Sequence, residues 1–131
     1  PGMIHYSNYL IKKELLKPPY YYNILLGSLG TSPVTLSSVN AFLDALPENV
    51  VWSLAGIGRY QLLANTLAIS LGGHVRVGLE DAPLYNWNSR EEATNPKLVE
   101  RILRIAKEFG REPASPKEAR DLIWGEQQSW G

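Results

Sequence analysis

Three apolar runs of strand length each give way to a stretch of helical periodicity, and this alternation limits the fold more than any other feature. Tyr20 to Leu26 is aromatic and aliphatic, as a buried strand is, and Gly27-Ser28-Leu29-Gly30 breaks it. Leu36, Val39, Phe42, Leu43 and Leu46 then recur at helical spacing until Pro47 closes the helix. Val50 to Ile57 reads as a second strand ended by Gly58, and Tyr60 to Leu71 as a helix with Gly72-Gly73 at its C-cap. His74 to Glu80 reads as the third strand. Asn95-Pro96 looks like an N-cap with proline at the first helical position, followed by the stripe Leu98, Val99, Ile102, Leu103, Ile105. A helix over residues 3–17, stopped by Pro18-Pro19, precedes the first strand. Ser115-Pro116-Lys117-Glu118 matches a capping box and predicts an extra C-terminal helix over 114–124, with 125–131 expected to fray.

Strands alternating with helices imply parallel strands joined by right-handed crossovers. An open doubly wound sheet and a piece of a barrel both satisfy this. A whole barrel takes about 250 residues, and the chain has 131, roughly half. No low-complexity segment or linker divides it, so 1–131 reads as a single partial barrel domain. Lys plus Arg and Asp plus Glu number 13 each, and the zero net charge gives no reason to expect nucleic acid or an anionic membrane as partner. No apolar run approaches a membrane span. The absence of cysteine leaves no disulfide or thiolate metal site and fits a cytoplasmic setting. The opening Pro1-Gly2-Met3 suggests either a cloning remnant or a longer protein that has been cut.

The third strand separates the two architectures. Along an extended chain Val75, Val77 and Leu79 share one face, and Arg76, Gly78 and Glu80 the other. A strand inside an open doubly wound sheet is usually apolar on both faces. In a barrel the charged face would point inward, with Glu80 and Asp81 at the C-terminal rim where barrel active sites sit. An internal ion pair or a solvated edge is the bland reading of the same pattern. Two adjacent carboxylates favour chemistry, because they can divide metal binding from proton transfer.

The run Gly72-Gly73-His74-Val75-Arg76-Val77-Gly78-Leu79-Glu80-Asp81 resembles the last-strand motif of the β-keto acid cleavage enzymes, among them the 3-keto-5-aminohexanoate cleavage enzymes. Leu26-Gly27, Trp52, Ala55-Gly56-Ile57-Gly58-Arg59, Asn95 to Arg101 and Ala114 to Arg120 agree in order. The resemblance covers the whole chain but only the second half of the family's length. It implies an α/β fold, the C-terminal part of a (β/α)8 TIM barrel with three parallel strands and flanking helices. It also implies one zinc ion, a small-molecule β-keto acid as substrate, acetyl-CoA as co-substrate, and cleavage to acetoacetate and a new CoA ester. On that likeness Glu80 matches a zinc ligand, and Arg76 and Asp81 match a pair that removes a proton from the keto acid. The family's two histidine ligands have no counterpart, since neither His5 nor His74 matches them, and Ala82 stands where the family usually has asparagine. The chain alone is therefore expected neither to hold zinc tightly nor to cleave keto acids.

Two glycine turns, Gly27-Ser28-Leu29-Gly30-Thr31 and Gly56-Ile57-Gly58-Arg59, follow strands. Gly27, Gly58 and Arg59 are weak candidates for contacts to CoA, Arg59 foremost; the bland reading is tight turns needing positive φ. Unsatisfied strand edges predict a homo-oligomer or association with the missing N-terminal half. Two other readings stand beside the enzyme: a non-catalytic truncated half-barrel that self-associates, and an open-sheet CoA- or nucleotide-binding module built on the glycine turns.

Overall fold

A computed structural model describes residues 1–125 as a mixed α/β protein with a three-stranded parallel sheet and flanking helices. The expected frayed tail lies outside the described residues except for Gly125. By spatial clustering the chain forms two compact units, the first made of residues 1–22, 35–51 and 114 onward, the second of 23–34 and 52–113.

In the first unit, α1 (Gly2–Lys12) and α2 (Leu36–Ala45) are amphipathic and bury Ile4 and Val39. Asn8 Nδ2 on α1 donates to the Ala45 carbonyl at 2.8 Å. The α2 N-terminus is capped by Thr35, whose hydroxyl accepts from the Ser38 N–H. The capping box read at Ser115 is present on α5 (Pro116–Trp124): Ser115 Oγ accepts from the Glu118 N–H, and Glu118 Oε2 accepts from the Ser115 N–H at 2.7 Å.

Helix α1 stops at Lys12, five residues before the expected end at Lys17. The Glu14 N–H bonds the Ile11 carbonyl and the Leu15 N–H bonds the Leu10 carbonyl, the pair of bonds that defines a Schellman termination. Glu14 takes the left-handed conformation this requires, with φ 58°. The usual signal is a glycine at that place, as at Gly72 after the third helix, and a glutamate there carries no such signal.

In the second unit the strand order is β1 (Tyr21–Leu26), β2 (Val51–Gly56), β3 (His74–Val75), β1 arriving from the first unit at Asn23. Ser53 and Leu54 pair with His74 and Val75 in parallel register. Helix α3 (Gln61–Ser70), entered through a 3-10 turn at Gly58–Tyr60, packs on β3 and on α4 (Asn95–Glu108). Leu26, Leu54 and Ala55 from the strands are buried with Ala64, Ala68, Leu98 and Ile102 from the helices. A hairpin that periodicity did not reveal, β4 (Leu84–Asn86) and β5 (Glu91–Glu92), stands between β3 and α4.

The third strand departs most from expectation, since the ladder ends at Val75 rather than Glu80. The Arg76 N–H still bonds the Leu54 carbonyl. Beyond it, the carbonyls of Arg76 and Gly78 are taken by the side-chain amides of Asn65 and Gln61 on α3. With those acceptors spent on a helix, no ladder continues, and Leu79 to Asp81 closes a turn through the Asp81 N–H to the Gly78 carbonyl. The alternation of faces read over His74–Glu80 therefore does not operate past Val75. The cap of α4 also moves by one: Thr94 is the N-cap, accepting from Lys97, and Asn95 is the first helical residue.

Candidate active site

Arg76, Glu80 and Asp81 meet at the turn after β3. Asp81 accepts two hydrogen bonds from the Arg76 guanidinium, from Nε to Oδ2 and from Nη2 to Oδ1, both at 3.0 Å. Glu80 Oε2 accepts from the same Nη2 at 3.1 Å. The two carboxylates thus converge on one cation instead of pointing to opposite faces. They differ in burial: the Asp81 side chain is 4 % exposed and that of Glu80 86 %. Glu80 Oε1 makes no hydrogen bond among the described residues, which leaves it open to a ligand.

The scaffold under this cluster comes from α3 and α4. Asn65 is fully buried and its Nδ2 donates to the carbonyls of Leu54 and Arg76, tying β2 to the residue that carries the guanidinium. Asn95 Oδ1 accepts from the Leu79 N–H at 3.0 Å and fixes the turn that presents Glu80. The Gly58 N–H donates to the Asp81 carbonyl at 2.6 Å. The hydrogen bond from Arg76 to Asp81, and then the Asp81 charge, push the guanidinium pKa above its ordinary value. A group held protonated in this way orients its partner and does not accept a proton itself.

Glu80 fits the role of one metal ligand: an exposed carboxylate with a free oxygen. Among the described residues no three His, Cys, Asp or Glu side chains gather as a metal site. His74 opens β3, and His5 lies exposed on α1 in the other unit. Ala82 is buried.

The glycine candidates separate. Gly27 has φ 88° and sits so close to the Tyr60 ring that a Cβ there would collide with it. Its N–H is spent on the Ser32 carbonyl. Gly58, with φ 63°, and Arg59 instead line a cavity of about 300 Å³ beside the β4–β5 hairpin, together with Gln61, Tyr85, Trp87 and Arg101. Arg101 is 7 % exposed, donates from Nη1 to the Tyr85 carbonyl at 2.7 Å and lies 4.3 Å from the Tyr85 ring centroid. Sequence reading missed Asn65, Gln61, Asn95 and Arg101 as parts of the site; the signal for Asn65 and Arg101 was a polar residue inside an apolar helical stripe.

A family profile described as beta-keto acid cleavage enzyme matches residues 1–124. The chain belongs to this family. It is 39 % identical over 123 residues to a 3-keto-5-aminohexanoate cleavage enzyme of Fusobacterium nucleatum, covering 93 % of this chain and 44 % of that protein. The enzyme of the same name from Acetoanaerobium sticklandii is 35 % identical with the same coverage. A 3-dehydrocarnitine:acetyl-CoA trimethylamine transferase of Rhizobium meliloti is 30 % identical over 119 residues, 91 % of this chain and 39 % of that protein. The chain spans less than half the length of these relatives. No helix among the described residues is long and apolar enough to cross a membrane.

Proposed function

We propose that this chain supplies the last-strand half of the active site of a (β/α)8 barrel that cleaves a β-keto acid with acetyl-CoA. The observation that carries the reading is the Arg76–Asp81 pair closed by two hydrogen bonds beside a Glu80 with one free oxygen. Asp81 is the proton acceptor, because each of its oxygens keeps a lone pair after receiving Arg76. Arg76 is the positioning cation: its two hydrogen bonds hold the Asp81 carboxylate in a fixed orientation. Glu80 is the metal ligand. A zinc ion held by Glu80 with ligands from outside the described residues would polarise the keto group and make its neighbouring C–H acidic. The family membership and the acetyl-CoA in the names of several relatives support acetyl-CoA as co-substrate.

A hybrid in which this chain replaces the matched segment of the Fusobacterium nucleatum relative supplies the remaining residues for a test. In it, Glu80→Gln lowers the zinc retained after dialysis, since an amide is a poorer ligand than a carboxylate. Asp81→Asn keeps the metal and slows turnover by about 10²-fold or more, the usual worth of a positioned base. Equal zinc loss in both variants would show that the two carboxylates do not divide the work.

A further inference from the structure

Two carboxamides one turn apart on α3, Gln61 and Asn65, do for the turn after β3 what a neighbouring strand does in a regular sheet. Four residues of helix rise about 6 Å, and two residues of strand about 6.6 Å. Side chains at i and i+4 on a helix therefore reach alternate carbonyls of a strand beside it. Asn65 Nδ2 donates to the Arg76 carbonyl and Gln61 Nε2 to the Gly78 carbonyl, both at 2.9 Å. The Gly78 carbonyl also accepts from the Asp81 and Ala82 N–H groups, each at 3.2 Å. One amide thus grips the backbone of Arg76, and the other grips the carbonyl around which the chain turns to present Asp81. Asn65 Nδ2 also reaches the Leu54 carbonyl, at 3.1 Å, and so references Arg76 to β2.

Stability alone does not call for this pair. Gln61 is 1 % exposed and Asn65 is fully buried. The amide oxygen of each has no partner among the described residues, and an unpaired buried oxygen opposes folding. Asparagine is also a poor residue for a helix interior. What the two amides deliver is placement, since between them they hold both members of the Arg76–Asp81 ion pair. A reacting group misplaced by about 1 Å loses about 10²-fold in rate. We propose that Gln61 and Asn65 are positioning residues for proton abstraction, Asn65 acting through Arg76 and Gln61 through the turn that carries Asp81. The proposal rests on Asp81 being the proton acceptor.

The test is a double-mutant cycle in the hybrid enzyme, with a spectroscopic measurement on the full chain beside it. Asn65→Leu and Gln61→Met keep the reach of the side chains and remove their donors. Each lowers kcat about tenfold or more and leaves KM for the keto acid and the zinc retained after dialysis unchanged. In the Asp81→Asn background no carboxylate is left to be placed, and the same substitutions change kcat by less than about twofold. Ser53→Ala removes a buried hydroxyl that donates to Asn23 Oδ1; it costs stability and leaves kcat unchanged. A loss of kcat by the same factor with and without the Asp81 carboxylate is the mark of a purely structural role and would overturn the proposal. If Asn65→Leu does not fold, Gln61→Met carries the same cycle. In the full chain, heteronuclear NMR follows the Arg76 Nε–H, which donates to Asp81. Its exchange with solvent quickens about tenfold or more in Asn65→Leu, and an unchanged rate also overturns the role given to Asn65. Should Asp81→Asn turn over as fast as its parent, the proton-acceptor reading falls and the positioning role with it. Faster Nε–H exchange would then still show that the amides hold the ion pair, which separates the two failures.

Discussion

Arg76 is held from three sides: its N–H by Leu54, its carbonyl by Asn65, and its guanidinium by Asp81 and Glu80. Such a residue has little freedom, and under the proposed function that restraint is what keeps Asp81 in place for proton transfer. The three charged residues were legible in the sequence because a cation and two carboxylates at the end of an apolar run are unusual. Their arrangement was not, because it depends on two side-chain amides from α3 that end the strand early. His74, at the start of that strand, carries a pH signature. Partial desolvation of the largely exposed ring and, after it, the charge of Arg111 hold its imidazole pKa below the usual value. As pH falls through about 6.5, the unfolded chain takes up the proton first. Stability is therefore full above that pH and declines below it, toward the lower folded pKa. Melting temperatures at pH 7.5 and 5.5 should show the loss, modest because His74 is exposed, and His74→Asn should lessen it. An unchanged difference in the variant would assign the slope to other groups.

At the scale of elements, α1, α3 and α4 end with the same pair of hydrogen bonds, but only α1 asks a non-glycine residue to turn left-handed. That conformation costs an L-residue about 1–2 kcal/mol, while glycine gives back about 0.5–1 kcal/mol in chain entropy. Glu14→Gly should thus be neutral or stabilise by up to about 1 kcal/mol in urea unfolding. A clear destabilisation would mean that the Glu14 side chain contributes what its backbone does not reveal. Strand β2 and helices α3 and α4 were readable because apolar periodicity and end signals agree there. The β4–β5 hairpin escaped because Leu84–Asn86 is short and Glu91–Glu92 is polar, so neither carries a period. Its importance comes from what Trp87 and Tyr85 line, a property of tertiary placement that spacing does not encode.

On the scale of the whole molecule, β1 and β3 stand at the two edges of the three-stranded sheet. Open edges invite pairing. Several large apolar side chains, Leu62, Leu63, Val99 and Leu103 among them, are also exposed. The chain should therefore associate, with itself or with a complementary segment, and light scattering after size exclusion should give a mass above 14.6 kDa. A stable monomer at that mass would argue that the edges are protected. The central claim concerns catalysis, and the turnover of the hybrid described above tests it most directly. With 3-keto-5-aminohexanoate and acetyl-CoA it should form acetoacetate well above the level of its Asp81→Asn variant. A hybrid folded by circular dichroism and retaining zinc, yet no faster than that variant, would contradict the assignment of this turn to the active site.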